Sequence, residues 1–271
     1  VTMHYNFPIG VSTVGRVITP GKGKEMILAT TTGTSATNRI EAMVRNAIYG
    51  VATAKSIGIK KPKVGILNVD GARQVEKCLK ELKDNGYEIE FAESIRADGG
   101  CVMRGNDLLA GAPDVMVTDT LSGNIFMKVF SSFTTGGEYE ASGYGYGPGV
   151  GQDYDRKILI LSRASGTPVV ANALKYAYDV SKGNVSEVAK SEFISAKSSK
   201  FEDIITNVTK KEVKTSEEVK MPQKQVVTTQ ISGIDIMDLE EAVKELWKNG
   251  IYAESGMGCT GPIVLVNDAK G

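Results

Sequence analysis

A-G-A-P-D-V-M-V-T-D-T-L-S-G-N-I-F-M-K, residues 110–128, carries most of the fold's plan in one stretch. Asp114–Thr118 is a compact apolar run of strand length, and nothing in it alternates with polar residues, so it reads as a buried strand. Asn124–Phe133 follows with Ile125, Val129 and Phe133 on one side, which reads as a helix. The polar turn between them, beginning at Asp119, makes the stretch one strand–loop–helix unit. The same alternation surrounds it. Upstream, Val64–Val69 reads as a strand, and Gly71–Lys83 as a helix stopped by Asn85-Gly86. Tyr87–Ser94 alternates as a strand does, and Asp107–Ala110 makes a helical turn. Earlier still, Met26–Ala29 reads as a strand entering a polar loop, T-T-T-G-T-S. A helix over Ala36–Ser56 follows, with Ile40, Met43, Val44, Ala47 and Val51 as its stripe and Thr37 or Asn38 as its cap. The first segment, through Val17, reads as a strand end, a turn at Pro8 and a short helix. Downstream, residues 134–155 are glycine-rich, Lys157–Leu161 is strand-like, and Val169–Val180 is a helix. Such alternation predicts an α/β fold, Rossmann-like, with right-handed crossovers and a mostly parallel sheet.

After Gly183 the composition turns polar. Residues 184–225 read as one or two exposed helices and a linker. A last small unit, 226–271, has a strand at Val226–Ile231, a helix at Met237–Trp247, and G-M-G-C-T-G-P before a strand at Ile263–Val266. The expected division is therefore 1–183, 184–225 and 226–271.

Composition removes several classes of function. The 271 residues carry 32 basic and 32 acidic side chains, so bulk charge draws the chain neither to nucleic acid nor to a membrane surface. No apolar run approaches the ~20 residues that span a bilayer. Cys78, Cys101 and Cys259 form no C-x-x-C pair, and His4 is the single histidine, which argues against metal sites and a disulfide framework. The expected location is cytoplasmic. Val1 leads directly into what reads as a strand, as in a piece of a longer protein. No G-x-G-x-x-G follows a strand, which disfavours nicotinamide chemistry.

Two strand-to-helix junctions have the character of anion sites. Ser122, Gly123 and Asn124 would offer free backbone N–H groups at a helix start. S-R-A-S-G-T-P offers Ser162, Arg163, Ser165, Gly166 and Thr167, with Arg163 able to clamp an oxyanion through two parallel N–H bonds. Ser, Gly and Asn are equally ordinary helix caps. Cys259, between Gly258 and Thr260-Gly261, is the candidate nucleophile. Cys78, inside a helix, reads as a small buried hydrophobe, and Cys101, in a loop, as structural more than functional.

D-T-L-S-G-N-I-F-M-K, preceded by A-G-A-P-D-V-M-V-T, resembles the D-G-F-x-G-N-x-x-L-K signature of the PlsX-type acyl-carrier:phosphate acyltransferases. It also resembles the D-L-x-x-G-N-I-x-Y-K stretch of phosphotransacetylases. Y-G-Y-G-P-G-V-G, the strand after it and S-R-A-S-G-T-P are similar to the loop, strand and serine-rich turn of the PlsX family. V-T-M-H-Y-N-F-P-I-G matches an early strand and loop in position, more than in residues. This likeness covers residues 1 to about 180. The whole chain, with G-M-G-C-T-G-P, resembles the family of alpha subunits of component C of the glycine/sarcosine/betaine reductase complex.

The resemblance implies an isocitrate-dehydrogenase-like α/β core, lacking the family's N-terminal portion and bearing a small C-terminal extension. It implies an acyl-transfer subunit that carries an acetyl thioester on Cys259 and phosphorolyses it to acetyl phosphate, with inorganic phosphate as co-substrate and no bound cofactor or metal. A component C beta subunit, selenoprotein A and a second copy in a homodimer are the implied partners. It places His4 and Asn6 on a pocket wall. Asp107 matches an acidic position of an E-G-x-D-like turn, in which Arg104 stands where the glutamate is expected. Two other readings are a stand-alone acyl-thioester:phosphate acyltransferase and a non-catalytic anion-binding scaffold.

Overall fold

In the computed structural model, which describes residues 1–97, 99–213, 219–234, 238–258 and 261–267, the 110–128 stretch forms one strand and one helix as expected. The strand is β6 (Val115–Val117). It lies inside a sheet in the order β4-β3-β6-β2-β1-β7-β8, with β5 also on β3. In chain order these are β1 (Val11–Ile18), β2 (Glu25–Thr34), β3 (Lys63–Leu67), β4 (Glu90–Phe91) and β5 (Val102–Met103), then β7 (Gly147–Gly151) and β8 (Leu159–Ile160). The ladders β2–β6, β6–β3, β3–β4 and β3–β5 are parallel. Those from β2 outward through β1 and β7 to β8 are antiparallel. The sheet is thus mostly parallel, with an antiparallel flank.

Helices cover both faces. On one lies α1 (Arg39–Ser56), capped by Asn38, whose side chain accepts from Glu41 N. Gly50 lets it approach closely: a Cβ there would meet Val115 Cγ1 at 2.4 Å and Ala29 Cβ at 2.9 Å. α2 (Ala72–Asp84) follows β3, and α3 (Gly105–Ala110) follows β5. On the opposite face α4 (Thr120–Ser132) seats Met127 and Phe130 in a core with Val17, Leu28, Met103, Leu108 and Met116. Each such fully buried side chain stabilises the fold by about 1.5–3 kcal/mol.

Three expectations are corrected. Residues 11–17 are strand, not helix: Val11, Thr13, Val14 and Val17 are β-branched and pair with β2 over its length. T-T-T-G-T, expected as a loop, completes β2, because two of its hydroxyls, those of Thr31 and Thr32, find a cross-strand partner in Thr13. Thr13 Oγ1 lies 2.7 Å from Thr31 Oγ1 and 3.0 Å from Thr32 Oγ1. The first polar helix after Gly183 is not a solvated one. α5 (Thr167–Lys182) leads into α6 (Val185–Ser198), where Phe193 is buried with its ring 5.5 Å from that of Tyr49 on α1. Glu192 of α6 accepts from Tyr87 Oη at 2.9 Å.

The chain folds as two compact units, Val1–Asn207 and Val208–Gly271, rather than dividing at 183. α7 (Phe201–Val213) crosses that boundary. The second unit has β9 (Thr229–Ser232), α8 (Leu239–Lys248), β10 (Ala253–Gly258) and β11 (Gly261–Val266), its sheet ordered β10-β11-β9 and all antiparallel. Leu239 and Val243 of α8 pack on Ala253, Val264 and Val266. Among the described residues, no helix is long and apolar enough to cross a membrane.

Candidate functional site

Strand direction sorts the expected site residues into groups. β8 runs antiparallel to β7, β7 to β1 and β1 to β2, so β8 points opposite to β2 and β6. The junction after β8 therefore opens at the other rim of the sheet from the junction after β6. Ser122–Asn124 and Ser162–Thr167 do not share a rim, because the strand feeding the second of these turns is an antiparallel one.

At the carboxyl rim, the first turn of α4 is already capped. Asp119 accepts from Ser122 N at 3.0 Å and from Ser122 Oγ at 2.8 Å, and its carbonyl accepts from Gly123 N. The free N–H groups expected at Ser122 and Gly123 are thus engaged by the chain itself. Arg39, at the start of α1, reaches Asp119 Oδ2 at 3.2 Å. Gly123 is required by contact: a Cβ would stand 1.8 Å from Thr30 O. Asn124 Nδ2 donates to Thr31 O at 3.1 Å, tying the helix to β2. A cavity of about 550 Å³ opens at this end of β2, lined by His4, Asn6, Phe7 and Thr32–Thr34.

At the other rim, one buried carboxyl organises the cluster. Glu140 is 2% exposed. It accepts from Tyr146 Oη at 2.6 Å on one oxygen and from Ser165 Oγ at 2.7 Å on the other. Its backbone pairs with the same turn, since Glu140 N donates to Ala164 O and Gly166 N to Glu140 O. Ser162 N donates to Ser165 Oγ, and Ser162 Oγ accepts from Ala164 N. Lys128, on the last turns of α4, donates to Tyr146 Oη at 3.2 Å. Burial pushes the Tyr146 phenol well up, Glu140 pushes it further, and a bond to the Ser162 side chain opposes them. Tyr146 is therefore a fixed neutral donor to Glu140, and the Lys128 ammonium has further N–H groups to offer an anion. Arg163 and Thr167 stand exposed beside the cluster.

Asp107 joins neither group. It is fully buried beyond β5, where it accepts from Ser94 Oγ, Ile95 N and Arg104 N. Cys78 and Cys101 are buried thiols. Burial pushes them up to about 11 and about 12, and for Cys101 the Glu76 carboxylate, 3.4 Å away, adds to it. Both are poor nucleophiles. Cys259 lies outside the described residues.

Sequence reading missed Glu140, Tyr146 and Lys128. Lys128 alone had a signal, as the closing residue of the 119–128 motif. Glu140 and Tyr146 sit in a glycine-rich stretch with no periodicity to mark them.

The profile of a family described as "Fatty acid synthesis protein" matches residues 1–265. The alpha subunit of component C of the glycine/sarcosine/betaine reductase complex of Peptoclostridium acidaminophilum is 70% identical over 272 residues, covering 100% of this chain and 71% of that protein. A phosphate acyltransferase of Fervidobacterium nodosum is 36% identical over 99 residues, 35% of this chain and 28% of its own length. One from Thermosipho melanesiensis is 35% identical over 91 residues, 32% of this chain and 25% of its own.

Proposed function

The chain belongs to the fatty acid synthesis protein family, and from that premise we propose that it is the acyl-transfer subunit of a glycine/sarcosine/betaine reductase, producing acetyl phosphate from an acetyl thioester. The observation that carries this reading is the Lys128–Tyr146–Glu140–Ser165 network, which ties Lys128, the last residue of the 119–128 motif, to the 162–167 turn. The chemistry asks little of a general base. A phosphate oxygen attacks the thioester carbonyl carbon, the carbonyl oxygen becomes an oxyanion, and the C–S bond breaks as that oxyanion collapses. Acetyl phosphate leaves, and the thiolate takes up a proton from solvent. Phosphate is largely ionised near neutrality, with a second pKa of about 6 in phosphomonoesters. The demand is to hold two negative charges together.

In this reading Arg163 and Lys128 supply the positive charge, and Ser162, Ser165, Gly166 and Thr167 shape the turn that receives phosphate. Glu140 is a positioning residue, locking Ser165 and Tyr146 in place. Ser122, Gly123 and Asn124 hold the far end of α4, and His4 and Asn6 line the separate cavity at the carboxyl end of β2, on the rim opposite the phosphate turn. Asp107 positions the 94–104 loop. Cys259 carries the thioester, the thiolate being the reactive form. Inorganic phosphate is the co-substrate, with no bound cofactor. A component C beta subunit and selenoprotein A are the proposed partners, a homodimer the proposed assembly, and the cytoplasm the location.

The test is phosphorolysis by the full-length subunit with its partners, using labelled phosphate and an acetyl thioester. Arg163→Gln and Lys128→Met should each raise the KM for phosphate by about tenfold or more, as loss of a charge-assisted hydrogen bond does. Cys259→Ala should abolish acetyl labelling of the protein. Unchanged kinetics in the first two variants would remove the cluster from the reaction, and full labelling of the third would remove the cysteine. Faster turnover of long-chain acyl thioesters would favour a stand-alone acyltransferase, and phosphate binding without turnover an anion-binding scaffold.

A further inference from the structure

The outer face of α4 is apolar, although the helix already buries its inner face in the core. Leu121, Ile125 and Val129, with Phe133 at the helix end, follow one another at every fourth position and are 71%, 50%, 50% and 47% exposed. Residues four apart share one side of a helix, so these form a single ridge. Among the described residues, the other helices bare at most a pair of large hydrophobics on one side, as α5 does with Leu174 and Tyr178. We propose that this ridge is the contact between two copies of the chain, related by a two-fold axis. It is the surface of the homodimer given above as the assembly, and it rests on that reading.

A second copy suits the ridge better than a charged partner does. Lys128 is the only ionisable side chain in α4, and it lies at the border of the ridge, donating to Tyr146 Oη at 3.2 Å. Two copies therefore meet without like-charge repulsion, and an acidic or basic partner finds no counter-charge. The hydroxyls that flank the ridge are satisfied within their own chain: Ser122 Oγ donates to Asp119 at 2.8 Å and Ser132 Oγ to Lys128 O at 2.6 Å. Covering them strands no donor. Side chains of this size, bared to this extent, leave on the order of 400 Å² of contiguous apolar surface. A standard interface takes about 800 Å² from each partner, somewhat over half of it apolar, so the ridge supplies nearly the whole apolar core.

The spacing also fixes how the copies meet. Rows of every fourth residue interlock with the helix axes crossed at about −50° and roughly 8–10 Å apart. A two-fold axis through the middle of the row sets Ile125 of one copy near Val129 of the other, and turns Leu121 toward Phe133. The inward residues hold the ridge in place: Gly123 lies against Thr30 of β2, and Met127 and Phe130 sit in the core. A helix apolar on both sides is a helix buried on both, with core on one side of α4 and interface on the other.

The experiment is sedimentation equilibrium of the full chain beside its Ile125→Asp and Val129→Asp variants, with circular dichroism to confirm the fold. Both positions are half exposed in the single chain, so the fold should tolerate aspartate there. The unaltered chain should sediment as a dimer. Each aspartate should weaken dimerisation by about a hundredfold or more, because it enters the interface twice. Ile125→Leu should stay dimeric. In a Cys259→Ser background, a short bismaleimide should join Leu121→Cys of one copy to Phe133→Cys of another when the two are mixed, and should not join Phe133→Cys to itself. A dimer that survives both aspartates, or Phe133→Cys joined to itself, would overturn the ridge as the contact while leaving the homodimer standing. A monomeric unaltered chain would remove the homodimer as well. If that monomer binds a component C beta subunit or phosphatidylglycerol vesicles, and the aspartates abolish the binding, the ridge belongs to that occupant instead. The proposed reaction is read separately, from phosphate KM, so it stands or falls apart from these outcomes.

Discussion

The two flanks of the large sheet are built on different physical terms. On the parallel flank, β3 and β6 are apolar and sandwiched between helices, with Met116 packed among Leu28, Met127 and Phe130. On the antiparallel flank, β1, the end of β2 and β7 bury hydroxyls and an acid. There Ser12 bonds Ser35 at 2.7 Å, Thr31 Oγ1 donates to Tyr146 O at 2.8 Å, and Glu140 gathers Tyr146 and Ser165. One flank is held by area removed from water. The other is held by pairs of buried polar groups, which makes it less tolerant of change and better suited to hold a charged reactant.

The largest break in that comparison comes where the flanks meet. Gly123→Ala drives a Cβ into Thr30 O and should cost on the order of 4 kcal/mol or prevent folding, read by urea unfolding. A clean parallel-flank change, Met116→Ala, should cost about 2–5 kcal/mol while leaving phosphorolysis per folded molecule intact. Glu140→Gln should reverse that pattern. It retains volume but leaves an amide N–H facing one of two donors, so stability should fall by about 1–3 kcal/mol and phosphorolysis should fall with it. Equal activity loss in both variants would erase the distinction between the flanks.

The smallest effect is one of pH. Cys78 and Cys101 hold their protons in the folded state up to about 11 and about 12, whereas an unfolded thiol loses its proton near ~8.5. The unfolded state therefore binds fewer protons above ~8.5, and stability should fall as pH climbs from there toward 11, with no effect at neutrality. At a pH of about 8, neither thiol should react with Ellman's reagent until denaturant is added, and prompt labelling of either would refute its shielding.

The parallel flank was legible and the antiparallel one, apart from β8 within Lys157–Leu161, was not, for a physical reason. Val64–Val69 and Asp114–Thr118 announce themselves because both faces are buried against helices, so hydrophobicity alone marks them. β1 and the end of β2 bury threonine and serine; threonine's branched shape suits a strand, while the polarity of both mimics a loop. β7, G-P-G-V-G, has almost no side chain to read. The cluster depends on bonds across separations of 6 and 25 residues from Glu140, with no local spacing to reveal them. Lys128 ended a recognisable motif, yet its partner Tyr146 could be found only from the fold. For α6, Phe193 and Ala196 are buried, and the surrounding Lys, Glu and Ser hid that stripe.

Asp119 gives the α4 junction an unexpected chemical character. The helix start resembles an empty receptor for phosphate in its residue types, but it comes with its own negative guest, covalently attached and steadied by Arg39 from a helix on the other face of the sheet. An anion from solution would have to evict a rival that never diffuses away. Of the two strand-to-helix junctions whose residue types suit an anion, the one after β6 is thus closed from within, and the one after β8, beside Arg163, is not.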